Sequence, residues 1–270
     1  MIIDFHAHLF PDKIAKKTIE LLSQKADIPA HTDGTREGLL HGMEKGGVEI
    51  AVNLPVLTNP KSFDKVNAFA KELNESAFEN GRRIISFAGI HPACEKIPEK
   101  MKWIRENGFL GVKLHPDYQE TYFDDAGYLE ILREAEKQDL IVLTHAGVDI
   151  GYRGCPVRCT PERALSVIRK IPYEKLVLAH LGAAEMPDEV YERLCGQKVW
   201  FDTAYVLRFV TKEQFLRILD KHGEDQMLFG SDSPWSDIAG DVKILKSFGL
   251  NRETEEKIFC ENAKKLLGLQ

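Results

Sequence analysis

Along the chain, short runs of β-branched and apolar residues, each closed by a polar residue or glycine, alternate with segments whose apolar residues recur every three or four positions. Eight such runs stand out: Ile2 to Phe5, Val48 to Leu54, Ile84 to Ala88, Leu110 to Leu114, Leu140 to Thr144, Leu176 to Ala179, Val199 to Asp202 and Met227 to Phe229. The helical period is read in Phe63 to Phe78, Tyr128 to Lys137, Pro161 to Lys170, Pro187 to Leu194 and Lys212 to Lys221. Pro161 and Pro187 stand where a first helical turn tolerates proline, and Thr160 is placed to cap the helix behind it.

Eight strand-helix units predict an α/β fold with a parallel sheet. At this length the expected closed form is a (β/α)8 TIM barrel, a single domain over residues 1–270, with an open doubly wound sheet as the alternative. The stretch from Pro11 to Gly47 exceeds what one unit needs, so an N-terminal insertion after the first strand, carrying an extra helix or a lid, is expected.

Composition narrows the classes. Apolar residues make up 43% of the 270 positions and charged residues 29%, which excludes disordered, collagen-like and coiled-coil chains. With 36 basic against 42 acidic side chains the net charge is -6, which argues against tracking a nucleic acid. No uninterrupted apolar stretch approaches the length of a membrane span, and the N-terminus reads as a strand rather than a leader. Five sparse cysteines argue against a disulfide framework and for a cytoplasmic setting. Cys155 and Cys159 lack a second nearby pair and read as loop thiols rather than a zinc knuckle.

Candidate chemistry gathers at the ends of the runs, where barrel enzymes build their sites. His6 and His8 are two residues apart on the first run, so both imidazoles project from one face and can chelate one ion; Asp4 shares that face by the same alternation. His145 closes the fifth run, His180 the sixth, and Asp232 follows the eighth in Gly230-Ser231-Asp232-Ser233-Pro234. Each residue alone reads as a capping polar group, but their joint placement at four strand ends points to a site. A closed barrel sets the eighth strand beside the first, bringing Asp232 to His6 and His8, with His145 reaching across the mouth.

The initial His-x-His, the segment Gly111-Val112-Lys113-Leu114-His115-Pro116, the two later histidine-bearing strand ends and the Gly-Ser-Asp-Ser-Pro segment resemble the amidohydrolase superfamily. The likeness is to its amidohydrolase-related branch, which includes aminocarboxymuconate-semialdehyde decarboxylase, other aromatic-acid decarboxylases and lactone hydrolases. It implies that His6, His8, His145 and Asp232 bind one divalent metal, most often Zn2+, and that His180 is the catalytic histidine, with Asp232 also able to accept a proton. The expected activity is metal-dependent hydrolysis or decarboxylation of a small carboxylate, amide or lactone. In some amidohydrolases a lysine at the fourth strand is carboxylated and bridges two metals, so a carboxylated Lys113 would bring a second ion. Otherwise Lys113 is a plain ammonium.

Substrate contacts are expected from Lys113, His115 and Arg153, with Arg158 and Arg208 as further cations for a carboxylate and solvated surface positions as the alternative for each arginine. His91, Asn53, Tyr205 and Trp235 border the same mouth, where turn-setting and packing are the competing roles; His31 and His41 read as surface residues. Two other classes compete with the enzyme above. A TatD-like nuclease shares the first-strand motif but usually carries glutamate where this chain has Lys113. A metal-binding barrel without catalysis would be expected to lack His180 or Asp232, and both are present. The partner expected is a small molecule, with neither nucleic acid nor membrane, and a homodimer is left open.

Overall fold

The computed structural model describes residues 1–76 and 81–269. Strand β1 (Ile3–Ala7) is followed by helices α1 (Asp12–Ala26) and α2 (Arg36–Gly46), then β2 (Ile50–Asn53), α3 (Phe63–Glu75) and the paired short strands β3 (Arg83–Ser86) and β4 (Ala88–Gly89). The chain continues through α4 (Ile97–Glu106), β5 (Gly111–Leu114), α5 (Ala126–Gln138), β6 (Ile141–Thr144), α6 (Pro161–Lys170), β7 (Leu176–Leu178) and α7 (Pro187–Arg193). It ends with β8 (Trp200–Asp202), α8 (Lys212–His222), β9 (Met227–Leu228), α9 (Ile238–Ser247), α10 (Arg252–Glu256), a π-helical turn and α11 (Asn262–Leu267).

Every strand pairing is parallel and sequential, β1-β2-β3 in one sheet and β4 through β9 in another. Phe87 separates β3 from β4, and the two together occupy the place of the single third run, so eight strand positions result. Its amide still bonds the Asn53 carbonyl at 2.9 Å, which bridges the two sheets. The ring closes where β1 meets the chain after β9: the Phe5 amide donates to Phe229 O at 2.8 Å, the Asp232 amide to His6 O at 2.7 Å, and Ala7 bridges Ser233. The result is the closed (β/α)8 barrel.

Alternate residues of the strands enter different apolar layers, as a period of two requires. Val112, Leu114, Val142 and Leu178 pack outward with helix residues such as Ile131 and Ile168, whereas Ile85, Phe87, Ile141, Leu143, Val177 and Leu228 form the second layer. Lys113 and His145 continue the series of Gly111 and of Ile141-Leu143, so their side chains share that second side. Thr160 does cap α6, its hydroxyl accepting the Arg163 amide at 3.3 Å. The helical segment expected to reach Phe78 is helical from Phe63 to Glu75, and Phe78 lies outside the described residues. The 11–47 segment holds two helices, of which α1 buries only Ala15 and touches the rim through Lys25, 3.3 Å above the Tyr152 ring.

Candidate metal centre and active site

The first histidines are carried by β1, whose register with β2 shifts between Asp4 and Ala7. That irregularity ends the simple alternation that would have aimed Asp4 alongside His6 and His8. The Asp4 carboxylate instead accepts the Ser231 amide and hydroxyl at 2.9 and 2.5 Å and the His6 amide at 3.1 Å. Burial pushes its pKa up to about 7, against the lowering effect of the Ser231 hydrogen bonds. It ties β1 to the loop after β9. Gly230 belongs to the same tie, since a Cβ there would stand 2.8 Å from that of His6.

His6 Nε2, His8 Nε2 and Asp232 Oδ1 converge: the two nitrogens are 3.2 Å apart and lie 3.3 and 3.1 Å from the carboxylate oxygen. The tautomers follow from the far side of each ring. His6 Nδ1 is 2.8 Å from Asp202 Oδ2 and His8 Nδ1 is 2.8 Å from the Leu54 carbonyl, both acceptors, so each Nδ1 donates. Both Nε2 atoms therefore point lone pairs into the space they share with Asp232. Three electron-rich atoms facing one another around a common point fit a cation, and two imidazoles with one carboxylate are a donor set for a divalent transition metal.

Electrostatics agree with that geometry. Burial, followed by the nearby Lys113 charge, holds His6 well below the usual imidazole pKa, so the ring is neutral and carries a lone pair on Nε2. The Asp232 carboxyl, although burial opposes its ionisation, is held below its ordinary value, at about 2, and so meets the imidazoles as a carboxylate. Lys113 is 1% exposed, and its Nζ lies 3.0 Å from His6 Nε2. Burial lowers its pKa to about 8 in spite of Asp232, Asp202 and Asp149.

His180 stands beside this cluster, its ring centroid 5.4 Å from that of His6. Its Nδ1 donates to the Ala204 carbonyl at 2.9 Å, and its Nε2 faces His145 Nδ1 at 2.9 Å. His180, Leu181 and Asp232 all have positive φ, near 62°, 53° and 67°, a backbone conformation costly for non-glycine residues and held here by the surrounding loops. Gly147, with φ near 85°, packs against the Ala183-Ala184 backbone so closely that any Cβ would collide with it, which pins the loop after His145 to the loop after His180.

His145 is thus placed with His180, and its ring stacks on His115 at 4.3 Å with an interplanar angle of 7°. His115 Nε2 lies 3.2 Å from Asp149 Oδ2. The donor atoms of His115, His145 and Asp149 lie within 4.8 Å of one another, but parallel stacked rings aim their in-plane lone pairs side by side rather than at one point. In this arrangement a shared ion does not fit between those two rings.

Arg153 is turned away. Its side chain is 61% exposed and pairs with Glu185 on the rim of a cavity of ≈ 280 Å³ lined also by Asp117, Asp149 and Tyr152. Arg158 holds Asp117 through its backbone amide at 3.3 Å, and Arg208 bonds Ser236 at 2.7 Å. His91 sets its turn by accepting the Ala93 amide, Asn53 ties Leu9 to Ser86, and His31 and His41 are exposed. Asp202 was missed as a site residue, although a carboxylate closing the seventh run is the same signal that marked the histidines. Asp117 and Asp149 lie in loops, where no periodicity marks them.

Among curated protein sequences none matches the chain significantly. Solved structures share its fold at low identity. 2,6-Dihydroxybenzoate decarboxylase from Rhizobium superposes with a TM-score of 0.72 at 17% identity, covering 99% of this chain and 98% of that one. 5-Carboxyvanillate decarboxylase from Novosphingobium aromaticivorans, complexed with manganese and 4-hydroxy-3-methoxy-5-nitrobenzoic acid, gives 0.73 at 15% identity over 100% and 96%. An uncharacterised TIM-barrel protein from Bordetella bronchiseptica gives 0.73 at 18% over 99% and 98%. The family model described as amidohydrolase matches residues 3–269, nearly the whole length, and the chain belongs to that family.

Proposed function

We propose that the protein is a metal-dependent enzyme acting on a small carboxylate, amide or lactone, as a hydrolase or a non-oxidative decarboxylase. The observation that carries this reading is the meeting of the His6, His8 and Asp232 lone pairs, with both histidine tautomers set by acceptors behind the rings. His6, His8 and Asp232 would hold the ion, and the donor set favours Zn2+. A manganese-bearing barrel of the same fold makes Mn2+ the competing ion. When bound, such a cation supplies Lewis acidity at a substrate oxygen and lowers the pKa of a ligated water.

The chain's own groups do the rest. Asp202 orients His6, and the Ala204 carbonyl orients His180 so that its Nε2 can accept or return a proton. Asp232 can accept a proton on its second oxygen. Lys113, fully buried beside His6, can hold a substrate carboxylate or oxyanion, and His115 closes the wall toward Asp149. Arg153, paired with Glu185, has a role only at the rim. The five free thiols suit a reducing compartment, and we assign the protein to the cytoplasm as a single domain over residues 1–270.

A second reading concerns ion number. Lys113 Nζ is buried with a lowered pKa, which raises the fraction of free amine able to add CO2, and His145 Nδ1 and His180 Nε2 face each other at 2.9 Å. A carboxylated Lys113 together with those two nitrogens would seat a second ion.

The test is metal analysis of purified protein followed by assays on lactones, amides and aromatic carboxylic acids. Metal-dependent turnover is expected, with CO2 release marking decarboxylation and its absence hydrolysis. Bound metal without turnover on any class, together with unchanged ligand handling by His180→Ala, would support a binding module instead. A 13C carbamate resonance, abolished in Lys113→Met, with two ions per chain, identifies the second reading.

A further inference from the structure

The groups of the centre are almost closed to solvent. His6 and Lys113 are each 1% exposed, and the side chains of His8 and Asp232 are 13% and 12% exposed. A substrate therefore reaches them only when part of the mouth gives way. Most of the mouth is pinned. The loop after β6 is tied to the loop after β7 through Gly147 and Ala184 and through Arg153 and Glu185. The loop after β9 is tied to β1 through Ser231 and Asp4 and through the His8 amide, which donates to the Ser233 carbonyl at 2.6 Å. Helix α2 buries Leu39, Met43 and Gly46, the last so close to Ile238 of α9 that a Cβ would stand 2.7 Å from its Cγ2.

Helix α1 is held differently. Its inward positions, Ala15, Thr18, Ile19, Leu22 and Ala26, follow helical spacing, yet Ala15 is buried and the other four are half-buried. The helix leaves the barrel at β1, and its last turn rests on the turn Ile150–Tyr152 of the loop after β6. Because β6 holds the fifth of the eight strand positions, opposite the first, the helix and that loop meet across the mouth. Their meeting point is the exposed Lys25, whose Nζ lies 3.3 Å from the centroid of the Tyr152 ring and 5.1 Å from that of Tyr118. The platform under Lys25 is fixed. The Tyr152 and Tyr118 rings are 5.0 Å apart, Tyr118 packs edge-on against His115 at 4.4 Å, and the Gly151 amide donates to Asp149 Oδ1 at 2.7 Å. A cation over aromatic faces at an exposed position is a weak contact, so it can break and reform while the rest of the fold stays closed.

We propose that α1 is a lid across the barrel mouth, latched by Lys25 on the Tyr152-Tyr118 pair, and that its lifting opens the way to the centre. That substrate uses this way rests on the function proposed above; the lifting does not. Lids of this kind exclude water during reaction and set the rate at which ligands enter and leave.

The experiment has two arms, both on the full-length chain. Hydrogen exchange of the protein as purified compares peptides from α1 with peptides from α2. Exchange in α1 is expected to be the faster of the two, and Lys25→Met is expected to speed it about 2- to 5-fold while α2 keeps its rate, the factor that an exposed cation-π contact commands. Tyr152→Leu is expected to act in the same direction. Lys25→Arg, which also seats a cation over the rings, is expected to keep the wild-type rate. The second arm follows modification of His8 by diethyl pyrocarbonate after metal has been removed with EDTA. Lys25→Met is expected to raise the His8 rate by the same factor and to leave the exposed His31 and His41 at theirs. Exchange in α1 that does not respond to Lys25→Met overturns the latch. Faster α1 exchange with an unchanged His8 rate overturns the lid, since the helix then lies off the route. A protein that shows both responses but neither metal nor turnover keeps its lid and refutes the reading of function.

Discussion

Asp202 and His6 are joined across the barrel mouth by a 2.8 Å hydrogen bond between side chains that are 0% and 1% exposed. The other Asp202 oxygen receives the backbone amides of His180 and Ala204 at 2.9 and 3.1 Å. One carboxylate therefore sets the tautomer of His6 and the position of the segment that carries His180. Replacement by alanine should lower affinity for a divalent ion about 10- to 100-fold while leaving the first-strand histidines in place. Competition with a chelator measures this; unchanged affinity would show that His6 needs no anchor.

Removal of a converging donor should have a larger effect. His6→Ala or Asp232→Asn is expected to leave protein that purifies without metal, as measured by elemental analysis. Full occupancy in the double variant His6→Ala/His8→Ala would remove the centre from these residues altogether.

His180 should separate binding from chemistry. Its ring bonds Ala204 and faces His145, outside the group formed by His6, His8 and Asp232. His180→Ala should therefore retain metal and lose turnover by about 10²-fold or more, the usual contribution of a proton-transferring group. Loss of metal in this variant would assign His180 to the ligands instead.

Gly230 lets β1 and the loop after β9 approach each other. Gly230→Ala would press a methyl against His6 Cβ, 2.8 Å away, and should destabilise the fold by about 1–3 kcal/mol while weakening metal binding. Denaturant titration read beside metal content tests both effects, and wild-type values for both would contradict the close approach.

Asp241 supplies a pH dependence away from the centre. Its carboxylate is 1% exposed and accepts the Ser236 hydroxyl at 2.5 Å; burial raises its pKa to about 6, against the lowering effects of Ser236 and Arg208. Because the folded pKa lies above the unfolded value of about 3.9, the folded state binds more protons between the two, and stability falls as pH rises from about 4 to about 6. Asp241→Asn should remove a contribution on the order of 2 kcal/mol across that window. Urea midpoints compared from pH 4 to pH 7 test it; parallel profiles for variant and wild type would refute it.

The strands were legible because a buried parallel strand must be a short apolar run, and all eight runs coincide with strand positions to within a few residues. The third was the least regular, since Phe87 divides it into β3 and β4 while its amide still bonds Asn53. Helix starts were legible where local chemistry suffices, as at Thr160 and Pro161. Asp4 departs from the face that alternation predicts, because the register shift in β1 is a property of its pairing with β2.

By itself the sequence determined that strand and helix alternate, that the ring can close, and that histidines and an aspartate stand at the strand ends. Those features depend on period and position, which are local. Only the tertiary structure decided that His6, His8 and Asp232 meet while His145 turns to His180, that Lys113 lies buried against His6, and that Arg153 is neutralised by Glu185 at the rim. It also decided the acceptors behind the rings, Asp202, Leu54 and Ala204, each supplied by a segment distant along the chain. Tautomer and lone-pair direction are set by such partners, so the chemistry of the centre is written in contacts that no local pattern encodes.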